Sequence, residues 1–362
     1  MTIIYTLLLA FTGLVFISML LLDARGLLGT KGRTANSRSG FKPRALVIVP
    51  CRGTDLTLTN NLRSLAMQDY GNYDLVAVVD SKNDAAVPTL KKEGIDFLVC
   101  GNPRRSSSGK VHAILHAIGH TRLQKVIVIA DSDITAGKRW LSGLVAPLAD
   151  ESIGISTTFP FFNPVGGFWS RVKMVWGFVG EGMMGSEFTR FGWGGSLAFR
   201  RDLIDKDFLH MATDSPYAIS DDICVTRAAR ERGLGIAYVK DAQPTVNSAE
   251  NFAAFWEWAN RQTALSRMGY PATSWFGIAY YSAEILLMLS GVALSAFVSP
   301  LFVVYLLHAA RGSVRDASRA RVHRAFSAVM SPFMPFIYMA NLLSASRMRK
   351  ITWRGRQYSL RR

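Results

Sequence analysis

The stretch KVIVIADSDI, residues 125–134, passes from a β-branched apolar run to an acidic one within a single residue. Val126 to Ala130 has the composition of a buried strand, and Asp131-Ser132-Asp133 follows it directly. In an extended chain, residues two positions apart point the same way, so Asp131 and Asp133 can face one ligand together. The stretch therefore predicts a strand that ends on an acidic site, with a plain acidic turn as the alternative.

Short apolar runs of the same kind occur upstream and alternate with segments of helical period. They predict strands at 44–50, 73–80, 95–100 and 125–130, and helices at 58–67 and 109–120. Strands that alternate with helices are typical of an α/β domain with a mostly parallel sheet. Ligands bind such sheets at the carboxyl ends of the strands, which is where the sequence places Pro50-Cys51-Arg52, Asp80 and Asp131-Ser132-Asp133.

Residue type alone allows two metal sites. A hard divalent ion such as Mg²⁺ or Mn²⁺ takes oxygen ligands and shares them with substrate phosphates, so Asp131 and Asp133 are its candidate ligands. Alternatively, one of these carboxylates binds the ion and the other holds a sugar hydroxyl. His112, His116 and His120 share one helical face, and that spacing suits either zinc or a polar helix surface.

The chain is strongly basic, with a net charge of +16 and a sequence pI near 10.0. The excess lies in three windows, 25–44, 311–324 and 347–362, which carry 18 of the 42 lysines and arginines but one of the 26 acidic residues. Each window adjoins a long apolar run, as is typical of membrane flanks and of contacts with anionic lipid. We therefore expect a membrane partner and no nucleic acid, whose binding proteins carry their basic residues on a folded face.

The apolar runs predict membrane segments at both ends of the chain. Ile3 to Leu22 is long enough to cross a bilayer and is followed, not preceded, by a basic block. It predicts an anchor that leaves the next domain in the cytosol, rather than a cleaved signal peptide. Trp275 to Phe297 fits a second span. The run 300–310 is short for another membrane span. The run 326–345 contains two prolines and is either a membrane crossing or an interfacial segment. The number of spans therefore stays open.

A set of motifs occurs in one order along residues 44–270: VIVPCRGTD, the strand that ends on Asp80, ADSD, WGGSLAFRR, SDDICVTRAARERG and FWEWANRQ. In this order the set resembles family 2 glycosyltransferases, and above all their membrane-anchored, ceramide glucosyltransferase-like branch. The resemblance implies an inverting hexosyltransferase with the GT-A fold, a Rossmann-like α/β domain that binds a nucleotide sugar.

The same resemblance implies which residues bind the donor. The nucleobase or ribose carboxylate matches Asp80, and the metal and diphosphate motif matches Asp131 and Asp133. The loop beside the nucleotide matches Pro50, Arg52 and Gly53. The later motif that contacts the leaving diphosphate matches Arg261 and Gln262. Many members have Gln-x-x-Arg-Trp at this last motif, whereas this chain has Ala259-Asn260-Arg261-Gln262, which keeps the Arg but not the flanking Gln and Trp.

The catalytic base implied by the resemblance is Asp222, with Asp221 as its acidic neighbour. The chemistry agrees, because an acceptor hydroxyl must lose its proton as it attacks, and a carboxylate in hydrogen-bond reach can take it. The alternative is structural, since acids at a helix N-terminus gain from the helix dipole, and the sequence after Ser220 predicts a helix start. Both interpretations can hold together.

Two further segments are donor-binding candidates. Trp193, Gly194 and Gly195 belong to a glycine-dense stretch before a predicted strand, where glycines permit a close backbone approach to a ligand or simply form a turn. Lys110 opens a predicted helix and either meets phosphate or stays in solvent.

These expectations define a domain plan and a function. The plan is an N-terminal transmembrane anchor at 1–24, a basic linker at 25–43, a GT-A domain at 44–270, transmembrane or interfacial helices at 271–346, and a basic cytosolic tail at 347–362. The expected function is transfer of a hexose, glucose by resemblance, from a UDP-hexose to a ceramide-like lipid hydroxyl at the cytosolic face of a bacterial cytoplasmic membrane. The alternatives are a polyprenyl-phosphate glycosyltransferase and a non-catalytic membrane protein that senses nucleotide sugars.

Overall fold

The computed structural model describes residues 2–28, 40–103 and 107–360 and, within the first helix, the side chains of 6, 7 and 9–22. Most of the predicted linker at 25–43 lies outside the described residues, as do Met1 and the last two residues of the predicted tail. The chain forms two compact units that alternate along the sequence. The sheet unit consists of Gly32–Asn163, Gly180–Ser248 and Arg349–Arg362, and the helical unit of Met1–Lys31, Pro164–Val179 and Ala249–Met348.

The secondary structure follows the alternation that the sequence predicted. The strands are β1 Ala45–Cys51, β2 Tyr73–Val79, β3 Phe97–Val99, β4 Val126–Ala130, β5 Ile134–Thr135, β6 Ile153–Thr157, β7 Phe161–Pro164, β8 Ser196–Arg200, β9 Gly235–Tyr238, β10 Thr245–Ser248, β11 Lys350–Trp353 and β12 Arg356–Ser359. The helices are α1 Thr2–Leu28, α2 Leu58–Ala66, α3 Val87–Lys92, α4 Gly109–His120, α5 Trp140–Val145, α6 Phe168–Met184, α7 Lys206–Asp214, α8 Asp221–Glu231, α9 Phe252–Gly269, α10 Pro271–Phe297, α11 Leu307–Arg319, α12 Arg324–Met330 and α13 Met334–Arg347.

The main sheet has seven strands in the order β3-β2-β1-β4-β8-β6-β9. The four strands predicted from the apolar runs, β1 to β4, pair in parallel. β8 runs antiparallel between β4 and β6, while β6 and β9 are parallel again. The predicted α/β class is confirmed, and the sheet is mixed because β8 enters it from the opposite direction.

The β-branched residues of β1 and β4 build the centre of the sheet unit. Ile48 and Ile129 are Cα partners across the two strands, and both are fully buried. Residues of α4 and α8, among them Ile114 and Val225, complete the same cluster. Each fully buried side chain of this size contributes roughly 1.5–3 kcal/mol. Because β1 to β4 pair in parallel, their carboxyl ends meet at one edge of the sheet.

The C-terminal segment of the sheet unit is a β-hairpin, whereas the sequence predicted only a basic tail. β11 and β12 are antiparallel, and Lys350 pairs with Ser359 across the hairpin. The two loop residues, Arg354 and Gly355, have φ of 49° and 75°. Two consecutive residues with positive φ are the signature of a tight two-residue hairpin turn whose twist suits the strands.

The helical unit contains two helical segments that are long and apolar enough to cross a membrane, among the residues described: α10 with 27 residues and the run 324–347 with 24. Residues 9–22 of α1 form a shorter apolar stretch. Pro332 and Pro335 do not interrupt the run 324–347, since each lies in the first turn of a helical element, Ser331–Phe333 and α13 respectively. A proline in the first turn removes no helical hydrogen bond.

Candidate active site

The carboxyl ends of β1 and β2 bring together the residues predicted to lie beside the nucleotide. Arg52 Nη1 lies 2.9 Å from Asp80 Oδ2, and the Asp80 side chain is 20% exposed. Gly53 has φ of 72°, a conformation that favours glycine, and its N–H donates to Asp84 Oδ1 at 3.0 Å. Pro50 lies within β1 opposite Val78. Asp80 is therefore an accessible carboxylate held in place by an arginine.

Three hydrogen bonds fix the acidic turn after β4. The N–H of Asp131 donates to the carbonyl of Gly195 at 3.1 Å. Ser132 Oγ donates to Asp55 Oδ2 at 2.5 Å, and Asn61 Nδ2 donates to the carbonyl of Ser132 at 2.9 Å. β5 begins directly after Asp133 and pairs with β10. The turn is therefore a fixed part of the sheet edge, and Ser132, which stands between the two aspartates in sequence, is buried.

Lys110 lies at the centre of this edge. Its Nζ is 2.7 Å from Asp131 Oδ1, 3.2 Å from Asp221 Oδ2 and 3.0 Å from the carbonyl oxygen of Gly194. The side chain is only 9% exposed. Burial alone would lower the pKa of Lys110, but the charges of Asp131 and Asp221 outweigh it and raise that pKa. The lysine is thus an ammonium ion that joins two motifs separated by 90 residues.

Asp221 and Asp222 begin α8, which agrees with the predicted helix start. Asp222 Oδ1 accepts from the N–H of Ile223 at 2.8 Å and also from the hydroxyl of Ser220. Burial raises the pKa of both carboxyls, opposed by the charge of Lys110 at Asp221 and by the Ser220 hydroxyl at Asp222. A carboxylate with a raised pKa accepts a proton more readily than an exposed one, which suits a general base.

The glycine-dense stretch before β8 lies against the same cluster. A Cβ at position 194 would be 2.4 Å from Asp221 Oδ2 and 3.0 Å from Lys110 Nζ, and one at position 195 would be 2.2 Å from the indole of Trp193. The N–H of Trp193 donates to Thr157 Oγ1 at 2.9 Å. Glycine is therefore required at 194 and 195 because the side chains of the cluster fill that space.

The remaining predicted residues, Arg261 and Gln262, lie on α9 in the helical unit. Both are half-buried, and the neighbouring Asn260 accepts a hydrogen bond from Asn341 Nδ2 at 2.8 Å. Their contact with the leaving diphosphate stays a prediction.

The donor set at the acidic turn suits a divalent cation that binds with a phosphate. Within residues 2–28, 40–103 and 107–360, no three His, Cys, Asp or Glu side chains come together to hold a metal ion by themselves. Mg²⁺ and Mn²⁺ in nucleotide sites use one or two carboxylates and take their other ligands from phosphates and water. Asp131 and Asp133, two residues apart at the sheet edge, fit that requirement.

The histidine face of α4 makes local contacts. His112 Nε2 lies 3.1 Å from the carbonyl oxygen of Cys100, and His120 Nδ1 lies 2.7 Å from that of His116. Burial, followed by the charges of His120 and His112, lowers the pKa of His116. These contacts with backbone carbonyls are those of a polar helix surface and give the zinc alternative no support.

Sequence reasoning missed several residues of this edge. Asp55, in the loop after β1, binds Ser132 and forms an ion pair with Arg354 of the hairpin turn. Arg356 Nη2 of β12 lies 3.1 Å from Asp80 Oδ2, although the two residues are 276 positions apart in the sequence. The sequence signal for this hairpin is the pair of arginines on either side of a glycine in WRGR. It is hard to recognise because many other basic residues surround it near the C-terminus.

Comparison with known proteins connects this geometry to a family. The profile described as glycosyl transferase family 21 matches residues 5–362, which is nearly the whole chain. No curated protein sequence matches the chain.

Solved structures give a likeness of fold. The mannosyltransferase PcManGT from Pyrobaculum calidifontis, in complex with GDP-Man and Mn²⁺, aligns with a TM-score of 0.57 at 17% identity, over 94% of this chain and 97% of that one. Glucosyl-3-phosphoglycerate synthase from Mycobacterium tuberculosis, in complex with Mn²⁺, UDP-glucose and phosphoglyceric acid, aligns with a TM-score of 0.41 at 16% identity, over 65% and 79%. The first of these likenesses shows a GT-A-like fold, as the motifs predicted.

Proposed function

We propose a reaction for this chain, which belongs to glycosyl transferase family 21, the ceramide glucosyltransferase family, and is a glycosyltransferase. In this reaction the enzyme moves a hexose from a nucleotide diphosphate sugar to a lipid hydroxyl at the cytosolic face of a membrane. The transfer inverts the configuration at the sugar carbon. Glucose from a UDP donor and a ceramide-like acceptor are the substrates that the sequence motifs favour. The proposal needs a divalent cation, Mg²⁺ or Mn²⁺.

The observation that carries this proposal is the cluster in which Lys110 lies between Asp131 and Asp221. It joins the predicted diphosphate motif to the predicted catalytic acids through contacts of 2.7 and 3.2 Å. A transferase needs these two functions within one sugar ring of each other, because the leaving diphosphate and the attacking hydroxyl act on one carbon. A plain acidic turn and a plain helix cap would have no reason to share a buried lysine.

Each group has a part in the transfer. Asp80 and Arg52 would position the nucleoside, and Asp131 and Asp133 would hold the cation, which neutralises charge on the departing diphosphate when bound. Lys110 adds a second positive charge beside the same oxygens. Asp222 would take the proton of the acceptor hydroxyl as that oxygen forms its bond to the sugar carbon and the bond to the diphosphate breaks.

The apolar surface of the helical unit supports a lipid acceptor. Only 17% of the apolar window of α10 and 28% of that in 324–347 is buried, whereas a core helix of a soluble protein would be mostly buried. Trp275, Leu289 and Phe297 of α10 are 63%, 56% and 89% exposed. Surface of this kind is stable in contact with lipid rather than water. The basic windows beside these helices favour the cytosolic face.

A transfer assay tests the proposal. Detergent-purified protein is incubated with MnCl₂, UDP-glucose and ceramide in mixed micelles, and the lipid product is identified by mass spectrometry. We expect a hexosylceramide, and a rate that falls about 10² to 10⁴-fold in Asp222→Asn, since that is the usual contribution of a general base. Asp207→Asn is the matched control, because Asp207 also lies in the first turn of a helix but is exposed.

The assay also separates the alternatives. A phosphate acceptor needs no strong base, so transfer to polyprenyl phosphate that is nearly unchanged in Asp222→Asn would replace the lipid-hydroxyl proposal. Binding of nucleotide sugar without transfer to either acceptor would favour the sensing protein.

A further inference from the structure

The C-terminal hairpin is seated on the edge of the sheet where the donor is proposed to bind. Arg356 Nη2 donates to Asn102 Oδ1 at 2.7 Å and lies 3.1 Å from Asp80 Oδ2. The Tyr358 hydroxyl accepts from the N–H of Gly109 at 3.2 Å. Arg354, at the hairpin turn, forms an ion pair with Asp55. The hairpin therefore contacts the segments that follow β1, β2 and β3 and the first residue of α4.

The two arginines face the carboxylates assigned to the donor and the cation. Burial would lower the pKa of Arg354, but its ion pair with Asp55 raises it, and the charges of Asp133 and Asp131 add to this effect. Arg356 shares the Asp80 carboxylate with Arg52. A donor with an anionic diphosphate has to approach this concentration of negative charge, so each arginine lowers the electrostatic cost of its binding.

One guanidinium nitrogen of Arg356, Nη1, is buried and has no hydrogen-bond acceptor among the residues that the structure describes, although the side chain as a whole is 18% exposed. That nitrogen lies against the start of α4, since a Cβ on Gly109 would be only 2.5 Å from it. A buried donor without an acceptor is costly unless a ligand supplies one. The unpaired Nη1 therefore favours an anionic ligand beside the first residue of α4, whose own N–H already donates to Tyr358.

The hairpin also lines an open cavity of suitable size. This cavity, of about 460 Å³, lies between the hairpin and the segment 214–219, and Ser107 also lines it. Small-molecule sites have volumes of this order. The lining segment 214–219 leads directly into Asp221 and Asp222 at the start of α8.

We propose that the hairpin 350–359 is part of the donor site and that Arg354 and Arg356 bind the diphosphate of the nucleotide sugar. This inference rests on the proposed function. In it, the arginines exchange the carboxylates of Asp55 and Asp80 for phosphate oxygens when the donor enters, because a guanidinium forms two parallel hydrogen bonds with phosphate. The rigid turn at Arg354-Gly355 and the buried Ile351, 3% exposed, hold the two side chains toward the site.

Nucleotide binding to the full-length, detergent-purified protein tests this inference. We would titrate UDP and GDP, each with MnCl₂, into wild type, Arg354→Ala and Arg356→Ala by isothermal titration calorimetry. Loss of a charge-assisted hydrogen bond predicts that each variant binds the better of the two nucleotides about tenfold more weakly or worse. Lys350→Ala is the matched control, since Lys350 is an exposed cation of the same hairpin, and it should bind within about twofold of wild type.

The outcomes are distinguishable. Unchanged binding in both arginine variants would overturn the role of the hairpin and leave the proposed function intact. Tighter binding would also overturn it, because the hairpin would then be a plug that the nucleotide must displace. A wild-type protein that binds neither nucleotide would refute the proposed function and the inference together. Arg354→Lys and Arg356→Lys guard against misfolding, since they keep the charge and should recover part of the affinity lost in the alanine variants.

Discussion

Replacing Lys110 with methionine is the most informative perturbation of the candidate site. Lys110→Met keeps the length of the side chain and removes its charge. In the wild type, Nζ lies 2.7 Å from Asp131 Oδ1 and 3.2 Å from Asp221 Oδ2, and the lysine side chain is 9% exposed. The variant would leave two carboxylates facing an apolar group in a poorly solvated space, which is a destabilised arrangement.

The size of the effect follows from these contacts. With an effective dielectric constant of about 20, an ion pair at the Asp131 distance has a Coulomb energy of about 6 kcal/mol before the cost of desolvation. Breaking a buried pair by removal of one partner costs about 3–5 kcal/mol net. Because the Asp131 side chain is 30% exposed, we expect the lower value, about 3 kcal/mol. In a domain of about 150–250 residues this lowers the melting temperature by roughly 6–12 °C.

Thermal melting followed by tryptophan fluorescence, in one detergent at pH 7.5, measures this shift. Lys125→Met is the matched control, because Lys125 is an exposed lysine before β4, and its effect should stay within about 0.5 kcal/mol. The double variant Lys110→Met/Asp221→Asn should recover part of the loss, since one of the two unpaired charges is gone. A Lys110→Met protein that melts together with wild type would refute the claim that this lysine holds the acidic motifs together.

Two other expectations follow from the packing and the surface. Gly194→Ala should reduce transfer by at least about tenfold, since its Cβ would lie 2.4 Å from Asp221 Oδ2 and displace a reacting group, whereas Gly119→Ala, with no atom within 4 Å of its Cβ, should retain wild-type activity. Membranes from an expressing host, extracted with alkaline carbonate, should retain the protein in the pellet because of its exposed apolar helices; release into the supernatant would contradict the membrane assignment.

The parallel half of the sheet and its strand ends could be predicted because each depends on a local pattern. The β-branched runs of β1 and β4 specify buried strands whatever their neighbours are, and a polar residue after such a run lies at the sheet edge. Asp80 and Asp131 were found in this way. The start of α8 was equally local, since acids next to Ser220 indicate a helix N-terminus.

The hairpin and the lysine cluster could not be predicted, because they depend on contacts between distant residues. Arg354 and Asp55 are 299 positions apart, and no periodicity relates them. The two-residue turn is Arg-Gly, whereas the usual sequence signal of a hairpin is Asn-Gly or Asp-Gly. Both arginines counted among the basic residues expected to face lipid. The direction of β8 was hidden for a similar reason, since an apolar strand has the same composition in either direction.

The proposed transfer depends most on a divalent ion that the acidic turn after β4 holds together with the donor diphosphate. Calorimetric titration of UDP and of GDP, in chelator and in MnCl₂, measures this directly on wild type and on Asp131→Ala. We predict that Mn²⁺ strengthens wild-type binding of one nucleotide by about tenfold or more and that Asp131→Ala loses this gain. Equal affinities with and without Mn²⁺ in wild type, or an undiminished Mn²⁺ effect in Asp131→Ala, would contradict it.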